Sequence, residues 1–487
     1  MLLADEGGWR MVRGLRSAGA LAAAAGLALG LGLLISAGPV RVLVAMAGAT
    51  VVALVVYRPL IGFLLVIASL PLDVSGTLGE TALTNLSITK ALAGLTVGAI
   101  VLEGLIRHRP LGLRRFLTTE TLLTAGLLGS LIASTALHPT QQSVAEILRQ
   151  MVILLFVLVI VYFVDRPGRL RQVAWVLVVT GTVVAAYSIS QRIMRPVSIS
   201  EEWIAQAGAV LDVGEESLGE MLRTTGTFSH PAWLGLFLSI CIPFTLGLCW
   251  PCRRIGWRVA GMAAVVLQVL GILSTYSRMS YIGAALAVAL FIHRRRLGIG
   301  LLMVMVAAAI VAFPAMPDDF RNRVYSILEY RQSSSSLSRL GQQLAGGYMF
   351  LDHPALGVGP GNFEDRVMGY ERRVPAALEV QPIGAHNMYV ETAAELGVPG
   401  LVLTLLVLVA SARQLRRSRM VADRGGEKSQ ALLWEAAGIG LVVFAASALF
   451  VHAQYRKEWW LLVGLAAASR QFMVAAAREH RPEARTS

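Results

Sequence analysis

The chain has 487 residues, of which 55% are hydrophobic and only 15% are charged. Soluble domains carry about a quarter charged residues, so this composition excludes an ordinary soluble protein and predicts a polytopic membrane protein. The formal net charge of +13 comes from an excess of arginine, since the sequence has only three lysines. Much of this arginine lies in short runs between apolar stretches, which is typical of cytoplasmic loops and excludes nucleic acid as a partner.

Apolar windows of membrane-spanning length recur along the whole chain. A helix needs roughly 20 residues to cross about 30 Å of hydrocarbon, so we predict an all-α polytopic bundle with about fourteen transmembrane helices. The first window follows Arg10, Arg13 and Arg16 and exceeds the length of a signal-peptide core, so we expect a retained span. The windows are 18–37, 39–57, 59–72, 86–106, 117–137, 148–164, 170–191, 231–250, 256–273, 278–293, 297–316, 386–412, 431–451 and 458–474.

The short loops between these windows divide sharply in charge. An even number of spans places both termini on one side of the membrane. Loops on that side carry twenty Lys and Arg residues, against four in the short loops on the opposite side. By the positive-inside rule, this bias predicts that both termini are cytoplasmic. The four outer-side residues are Arg41, Arg278, Arg456 and Lys457.

Two loops are long, and both fall on the outer side of this topology. A polar, Gly-rich outer loop is where chemistry is expected, whereas a carrier places its ionisable groups near the bilayer midplane. The spans hold few such groups, which favours a surface enzyme over a carrier. The predicted segments are N-terminal helices 1–192, a first periplasmic loop 193–230, central helices 231–316, a large periplasmic catalytic loop 317–385, C-terminal helices 386–474 and a cytoplasmic tail 475–487.

The segment HNMYVETAAELGVPG, from His386 to Gly400, leads out of the second long loop into an apolar helix. His386 is therefore expected at a helix N-terminus on the outer membrane surface. The helix dipole disfavours a protonated imidazole there, so His386 is expected to stay neutral and able to accept a proton. On residue type alone, a histidine that merely caps the helix is the simpler interpretation.

Two arginines and a glycine block are candidates for binding an anion. Arg278, in STYSRMSYIG, begins a span, where an anionic ligand would offset its conflict with the helix dipole; snorkelling into lipid headgroups is the alternative. Arg339 falls on a predicted amphipathic helix in the second long loop, where solvation alone also explains it. Gly357, Gly359 and Gly361 are spaced as in an anion-binding nest, and equally as in a turn. No set of residues has the spacing of a metal site.

Four motifs in this order resemble the O-antigen ligase and polymerase family. They are TGTFSHP, an SR pair at a span start, an arginine before HP-x-x-GVGPGNF, and HN-x-Y-x(5)-ELG-x-x-G. Together they cover roughly Arg223 to Ala412. The family consists of integral membrane glycosyltransferases that use glycans on an undecaprenyl diphosphate carrier. This chain has Ala232 after His230-Pro231, where the family often has an asparagine.

The resemblance implies a GT-C-like membrane enzyme that transfers glycan on the periplasmic face without a metal or other cofactor. It implies that Arg278, Arg339 and His386 are the catalytic residues and surround the diphosphate. The histidine would accept the proton of the attacking hydroxyl, and the guanidiniums would stabilise the leaving charge. The expected substrate-binding residues are Arg223, Asn387, Gly359 and Gly361.

The resulting hypothesis is an inner-membrane glycosyltransferase of surface polysaccharide assembly. A polymerase of O-antigen or exopolysaccharide units is preferred, because the chain is long and two outer loops are large. The close alternative is a ligase that transfers finished glycan to a lipid A core. Further alternatives are an O-linked protein glycosyltransferase and a non-enzymatic lipid-glycan flippase. The expected partners are an undecaprenyl-diphosphate-linked glycan donor, a glycan or lipid-linked acceptor, the lipid bilayer and other polysaccharide-assembly proteins.

Overall fold

The computed structural model describes residues 39–72, 88–107, 112–194, 224–294 and 334–479. Within these ranges the chain forms helices and no β-strand, and eight helices are long and apolar enough to cross a membrane. The predicted all-α polytopic class is thereby confirmed. The windows at 18–37 and 297–316 and the acidic first loop up to Arg223 lie outside the described residues, so the number of fourteen spans stays a prediction.

The described part of the chain contains fourteen α-helices, most of them joined by short connections. A long helix appears inside the second long loop, where the sequence predicts an amphipathic one. In chain order the helices are α1 (Pro39–Tyr57), α2 (Pro59–Ala68), α3 (Ile88–Arg107), α4 (Thr119–Leu137), α5 (Gln141–Phe163), α6 (Pro167–Met194), α7 (Pro231–Cys249), α8 (Ile255–Ser274), α9 (Arg278–Arg294), α10 (Ser334–Asp352), α11 (Phe363–Val367), α12 (Met388–Arg424), α13 (Lys428–Ser447) and α14 (Lys457–Glu479).

The chain divides into two compact units. In the first, which contains α1 to α3, helix α2 packs along α3. Gly62 permits this approach, because a Cβ there would overlap the hydroxyl of Thr96. Thr89 Oγ1 donates a hydrogen bond to the carbonyl of Ser69 (3.1 Å) and joins the same two segments. The first unit comprises residues 1–69 and 75–113, and the second comprises residues 70–74 and 114–487.

Helix α7 is the centre of the second unit. Its side chains are buried along nearly the whole helix, among α6, α8, α9 and α13. Helices in lipid gain no hydrophobic driving force from one another, so their close packing depends on small residues. Gly235 of α7 meets Ser280 of α9, and Gly247 meets the backbone of α13 at Leu432. These close contacts hold α9 and α13 directly against α7.

Helix α12 is longer than its apolar window and is interrupted near its start. The window ends at 412, and a cytoplasmic loop is expected from there to Lys428, but the helix continues to Arg424. The intervening residues contain no Gly or Pro and bury Leu415, so they stay helical although they are charged. At Gly397 the backbone leaves helical geometry, with φ of 65°. The first turns of α12 are therefore set apart from the rest.

The starts of three helices lie at one end of the second unit. Met388, the first residue of α12, donates its amide hydrogen to the carbonyl of Ala448 at the end of α13 (2.9 Å). The first turn of α9 packs against the first half of α7, where Ser239 Oγ donates to the carbonyl of Ser280 (3.5 Å). A Cβ at Gly283 of α9 would lie 3.4 Å from an atom of the last residue of α13. The positive ends of the dipoles of α7, α9 and α12 thus face the same side.

Candidate active site

The second long loop carries a small hydrophobic core of its own. Helix α10 packs on the start of α12, where a Cβ at Gly346 would lie 2.8 Å from Val390. The loop after α10 folds over this pair and returns to α12. It is therefore a packed layer on the end of the bundle. The buried residues of its core are Ala345, Met349, Val358, Phe363, Val367, Val374, Val380, Ala385 and Ala394.

The glycine motif of this loop packs against the ELG segment of α12. The amide of Val358 donates to the carbonyl of Ala394 (2.9 Å), and the amide of Val398 donates to the carbonyl of Pro354 (2.8 Å). Gly397 has φ of 65°, and a Cβ there would lie 2.6 Å from that Pro354 carbonyl. Left-handed backbone and such close approach both require glycine. The two motifs therefore lock together as one structural element.

Gly359 and Gly361, both predicted to bind substrate, lie within this packed element. They have φ of 100° and 75° respectively, which only glycine adopts readily. The amide of Gly359 donates to the carbonyl of Glu395 (3.1 Å), so that donor is already engaged. A Cβ at Gly361 would lie 3.1 Å from Glu146 of α5. Their conformations have a structural reason, and their anion-binding role stays a prediction.

The HN motif forms the turn that leads into α12. Asn387 is the N-cap, and its Oδ1 accepts hydrogen bonds from the amides of Tyr389 (3.0 Å) and Val390 (3.3 Å). His386 precedes it with φ of 50°, a left-handed conformation that non-glycine residues seldom adopt. Such residues persist only where the surroundings hold them, and they often mark functional sites. The substrate-binding role of Asn387 stays a prediction beside its role as a cap.

Two histidines that the sequence did not assign to the site lie beside this turn. The ring of His452 is 5.7 Å from the ring of His386 and 5.7 Å from that of Trp233, between centroids. The ring of His230 lies 6.0 Å from that of Trp233, between centroids. His230 is also the N-cap of α7, since its Nδ1 accepts from the amide of Ala232 (3.1 Å). His230 and His452 therefore both border the indole of Trp233, and His452 also borders His386.

Burial, together with nearby positive charge, favours the neutral form of both His386 and His452. Burial, and to a smaller extent the positive charge of Arg339 and the neighbouring His452 and His230, lower the pKa of His386 to about 3. Burial also lowers the pKa of His452, although the negative charge of Glu364 opposes this shift. The sequence predicts a neutral His386 from the helix dipole, whereas desolvation is the larger cause here. A neutral imidazole retains a lone pair that can accept a proton.

The predicted arginines occupy the same end of the bundle. Arg339, on α10, lies close enough to His386 for its charge to lower the pKa of the imidazole. Arg278 is the first residue of α9, whose first turn packs against the first half of α7. Arg223 lies outside the described residues. The structure thus brings Arg339 and His386 together and sets Arg278 at the same group of helix starts.

A further guanidinium, that of Arg456, adjoins the histidines. It lies over the ring of Trp233, 4.3 Å from the centroid, and 5.5 Å from that of Phe228. It also forms an ion pair with Glu458 (2.6 Å). The sequence marks Arg456 only as one of few outer-side cations. The polar run from His452 to Arg456 after an apolar window is the signal that could have identified this segment.

No group of three or more His, Cys, Asp and Glu side chains in the described part of the chain is arranged to hold a metal ion. The groups around His386 are instead imidazoles and guanidiniums. Guanidiniums bind phosphate oxygens through paired N–H donors, and helix N-termini favour the same charge. The arrangement is therefore chemically suited to an anionic, phosphate-containing group beside a neutral base.

The fold is that of a polytopic membrane protein. A comparison with protein families indicates which kind of membrane protein it resembles. Residues 263–405 match the family model described as O-Antigen ligase. The match confirms the resemblance to the O-antigen ligase and polymerase family and supports a function of that type. It spans Arg278, Arg339 and His386, whereas His230 and His452 lie outside it. A comparison with curated proteins finds no match.

Proposed function

We propose that the protein is an inner-membrane glycosyltransferase of surface polysaccharide assembly. It transfers glycan from an undecaprenyl diphosphate carrier to an acceptor glycan on the periplasmic face. The observation that carries the proposal is the neutral, half-buried His386 close enough to Arg339 to sense its charge, at an end of the bundle where three helices begin. The family match over residues 263–405 supports the substrate class.

The guanidiniums have the task of holding the leaving diphosphate. Arg339 and Arg278 are the proposed ligands, and the N-termini of α7, α9 and α12 add partial positive charge at the same end. When the bond from C1 of the donor sugar to phosphate oxygen breaks, the electron pair stays on the diphosphate. Fixed cations stabilise that growing charge more strongly in the transition state than in the bound donor.

His386 has the task of accepting a proton. As the acceptor hydroxyl attacks C1, its oxygen forms the new glycosidic bond and its proton moves to the imidazole. A base with a pKa of about 3 is weak at neutral pH, because a general base works best near the operating pH. A bound diphosphate would offset the positive charge of Arg339 and so raise the pKa of His386. Proton acceptance is thereby coupled to donor binding.

Polymerisation is the preferred activity, and ligation is the second candidate. The large outer loops favour a polymerase, whereas the matching family model is described as an O-antigen ligase. Deleting the protein and separating the surface glycans on a gel distinguishes the two. A polymerase deletion leaves single repeat units, whereas a ligase deletion leaves long chains on the lipid carrier. Unchanged surface glycans with altered glycoproteins would instead indicate an O-linked protein glycosyltransferase.

A flippase is the rival from a different class, and the packed outer layer argues against it. The segment from α10 to the HN turn has its own buried core and is locked to α12 by backbone hydrogen bonds. A flippase must alternate access across the membrane without forming a glycosidic bond. Continued carrier translocation by a protein that forms no product from purified donor and acceptor would favour that rival.

The periplasmic location of the site is supported by the distribution of arginine among the short loops. It can be tested with single cysteines in a background that lacks Cys241, Cys249 and Cys252. Gly369 lies in the outer layer, is exposed and has open space for a side chain, and Gly425 follows α12 at the opposite end. An impermeant thiol reagent should label Gly369→Cys, but not Gly425→Cys, in intact spheroplasts. The reverse pattern would invert the topology and remove the site from the periplasm.

We also propose that the transfer needs no metal, since arginines can screen a diphosphate without Mg²⁺. Turnover of the purified protein with a lipid-linked donor should survive EDTA. Loss of turnover in EDTA, restored by an added divalent ion, would contradict this proposal. The acidic residues of the outer layer, Asp352, Glu364 and Asp365, would then be the first to test as ligands.

A further inference from the structure

The connection between α13 and α14, residues 448–456, is part of the site although it lies far from the matched family region. It supplies His452, whose ring lies 5.7 Å from that of His386. It also supplies Arg456, which lies over Trp233. This connection must be held in a fixed position relative to the HN turn, which lies more than sixty residues earlier in the chain.

One buried carboxylate joins the two segments. Glu391, in the first turn of α12, is 7% exposed. Its Oε2 accepts a hydrogen bond from the amide of Ala385 (3.0 Å), the residue before His386. Its Oε1 accepts a hydrogen bond from Nε2 of Gln454 (3.0 Å) in the connection. Both oxygens are therefore engaged, one on each side of the site.

The connection is fixed on its other side as well. The carbonyl of Gln454 accepts hydrogen bonds from the indole nitrogens of Trp459 (3.1 Å) and Trp460 (2.9 Å). Both indoles are buried in the first turn of α14. Gln454 thus fixes the position of Glu391 relative to α14, and Glu391 in turn fixes the backbone beside His386.

The turn itself passes close to these groups. A Cβ at Gly384 would lie 3.0 Å from Oε2 of Glu391 and 3.4 Å from Nδ1 of His452. Two residues later, His386 has φ of 50°. A residue in this conformation depends on its surroundings, so a shift of Ala385 would be passed directly to the imidazole.

We propose that Glu391 and Gln454 form a clamp that positions His386 against the acceptor hydroxyl, and that both are positioning residues of the transfer reaction. The clamp is defined by the two hydrogen bonds of Glu391. The proposal rests on the proposed function, because it requires His386 to act in the chemical step. The two hydrogen bonds fix positions and do not transfer charge to the imidazole, since Glu391 contacts the backbone amide of Ala385 and not the ring of His386.

If Glu391 and Gln454 position His386, breaking the clamp should lower turnover and leave donor binding nearly unchanged. Gln454→Leu removes the hydrogen bond to Oε1 and leaves the arginines in place. Turnover should fall by about tenfold or more, because misplacement of a catalytic group by about an ångström has effects of this size. Binding of a lipid-linked donor should change by less than about twofold, since the proposed diphosphate ligands are on α9 and α10.

The conservative variant distinguishes hydrogen bonding from carboxylate charge. In Glu391→Gln, the amide oxygen can accept from Ala385, and the amide nitrogen can donate to Gln454 if that side chain turns over. Oε1 of Gln454 is buried and meets no hydrogen-bond partner among the described residues, so it is free to accept. Glu391→Gln should therefore retain most of the turnover that Glu391→Leu loses. Gly384→Ala, which crowds the clamp without removing it, should resemble Gln454→Leu.

A matched control comes from the far half of the same helix. Gln414 is a buried amide of α12 whose Nε2 donates to Ser469 of α14 (3.1 Å). Gln414→Leu removes a comparable bond between α12 and the C-terminal segment, remote from the site. It should lower thermal stability while turnover per folded molecule stays unchanged.

The closing experiment combines Gln454→Leu with His386→Ala in the purified full-length protein, at equal folded amounts. If the clamp acts through His386, Gln454→Leu should lower turnover in the wild-type background. It should not lower further the residual turnover of His386→Ala. Equal fold-losses in both backgrounds, or wild-type turnover in Gln454→Leu, would overturn the clamp. Wild-type turnover in His386→Ala would instead overturn the proposed function, so the two failures are distinguishable.

Discussion

The two halves of α12 bury polar side chains in different ways. In the far half, Nε2 of Gln414 donates to Ser469 of α14, so this polar pair joins two helices. At the near end, His386 is held in a left-handed turn. Beside it, Nδ1 of His452 is buried and meets no hydrogen-bond partner among the described residues.

Hydrogen-bond pairing distinguishes a structural polar cluster from a candidate site. Buried polar groups in native proteins are almost always paired, so pairing alone explains the contact between Gln414 and Ser469. The left-handed conformation of His386 and the unpartnered Nδ1 of His452 have no such explanation among the described residues. They are the arrangement expected where a ligand supplies the missing partners.

The largest expected effect is that of His386→Ala. Loss of a general base costs about 10²- to 10⁴-fold in turnover, while donor binding should stay near normal because the arginines are unchanged. Gln414→Leu is the comparison from the far half and should cost about 1–3 kcal/mol of stability with turnover retained. Surface glycan on a gel, together with protein abundance in the membrane, separates the two. Normal glycan length in His386→Ala would remove the catalytic assignment.

A smaller loss is expected when the arginines are replaced by lysine. Arg278→Lys and Arg339→Lys keep the charge but lose the planar, two-pronged donor. Turnover should fall by about tenfold to a hundredfold, and donor affinity should fall less, because the leaving charge grows in the transition state. The measurement is steady-state turnover beside donor binding in detergent or nanodiscs. If either lysine variant turned over like the wild type, its arginine would not hold the diphosphate. Arg278 would then be a membrane anchor, and Arg339 a solvated loop residue.

The smallest expected effect concerns stability against pH. The pKa of His386 is about 3 in the folded protein and about 6.5 when unfolded. Below pH 6.5 the unfolded chain therefore binds a proton that the folded protein does not, so stability is complete above that pH and is lost progressively towards pH 3. At pH 5 the loss from this residue should be at most about 2 kcal/mol.

His386→Gln removes this titration and serves as the comparison. Its melting temperature should fall less than that of the wild type between pH 7 and pH 5. Gln414→Leu should melt at a lower temperature than the wild type at pH 7. Its melting temperature should then fall by the same amount towards pH 5, because no imidazole is lost. If the melting temperatures of the wild type and His386→Gln fell equally between pH 7 and pH 5, the imidazole would be protonated normally in the folded protein.

Local patterns in the sequence predict the parts of this structure that depend on local chemistry. Apolar windows predict the spans, and the HN segment predicts a polar helix start because Asn387 is an N-cap residue and its apolar helix follows. The amphipathic pattern around Arg339 predicts α10. These features depend on neighbouring residues, so they are visible without a fold.

The remaining features depend on contacts between distant segments. His452 joins His386 only because α13 returns the chain to the start of α12. The glycine block suggests an anion nest, but Gly397 reveals a locked backbone contact that spacing alone does not show. The charged residues after 412 suggest a loop, because hydropathy does not register the burial of Leu415.

The proposed reaction is glycosyl transfer from a lipid diphosphate at the His386 end of the bundle. The most direct measurement uses purified protein in nanodiscs with an undecaprenyl-diphosphate-linked glycan and a glycan acceptor. The expected result is release of undecaprenyl diphosphate in equal amount to the lengthened acceptor, with His386→Ala forming neither. Donor that stays intact with the wild-type protein, or release that is equal in His386→Ala, would contradict the account.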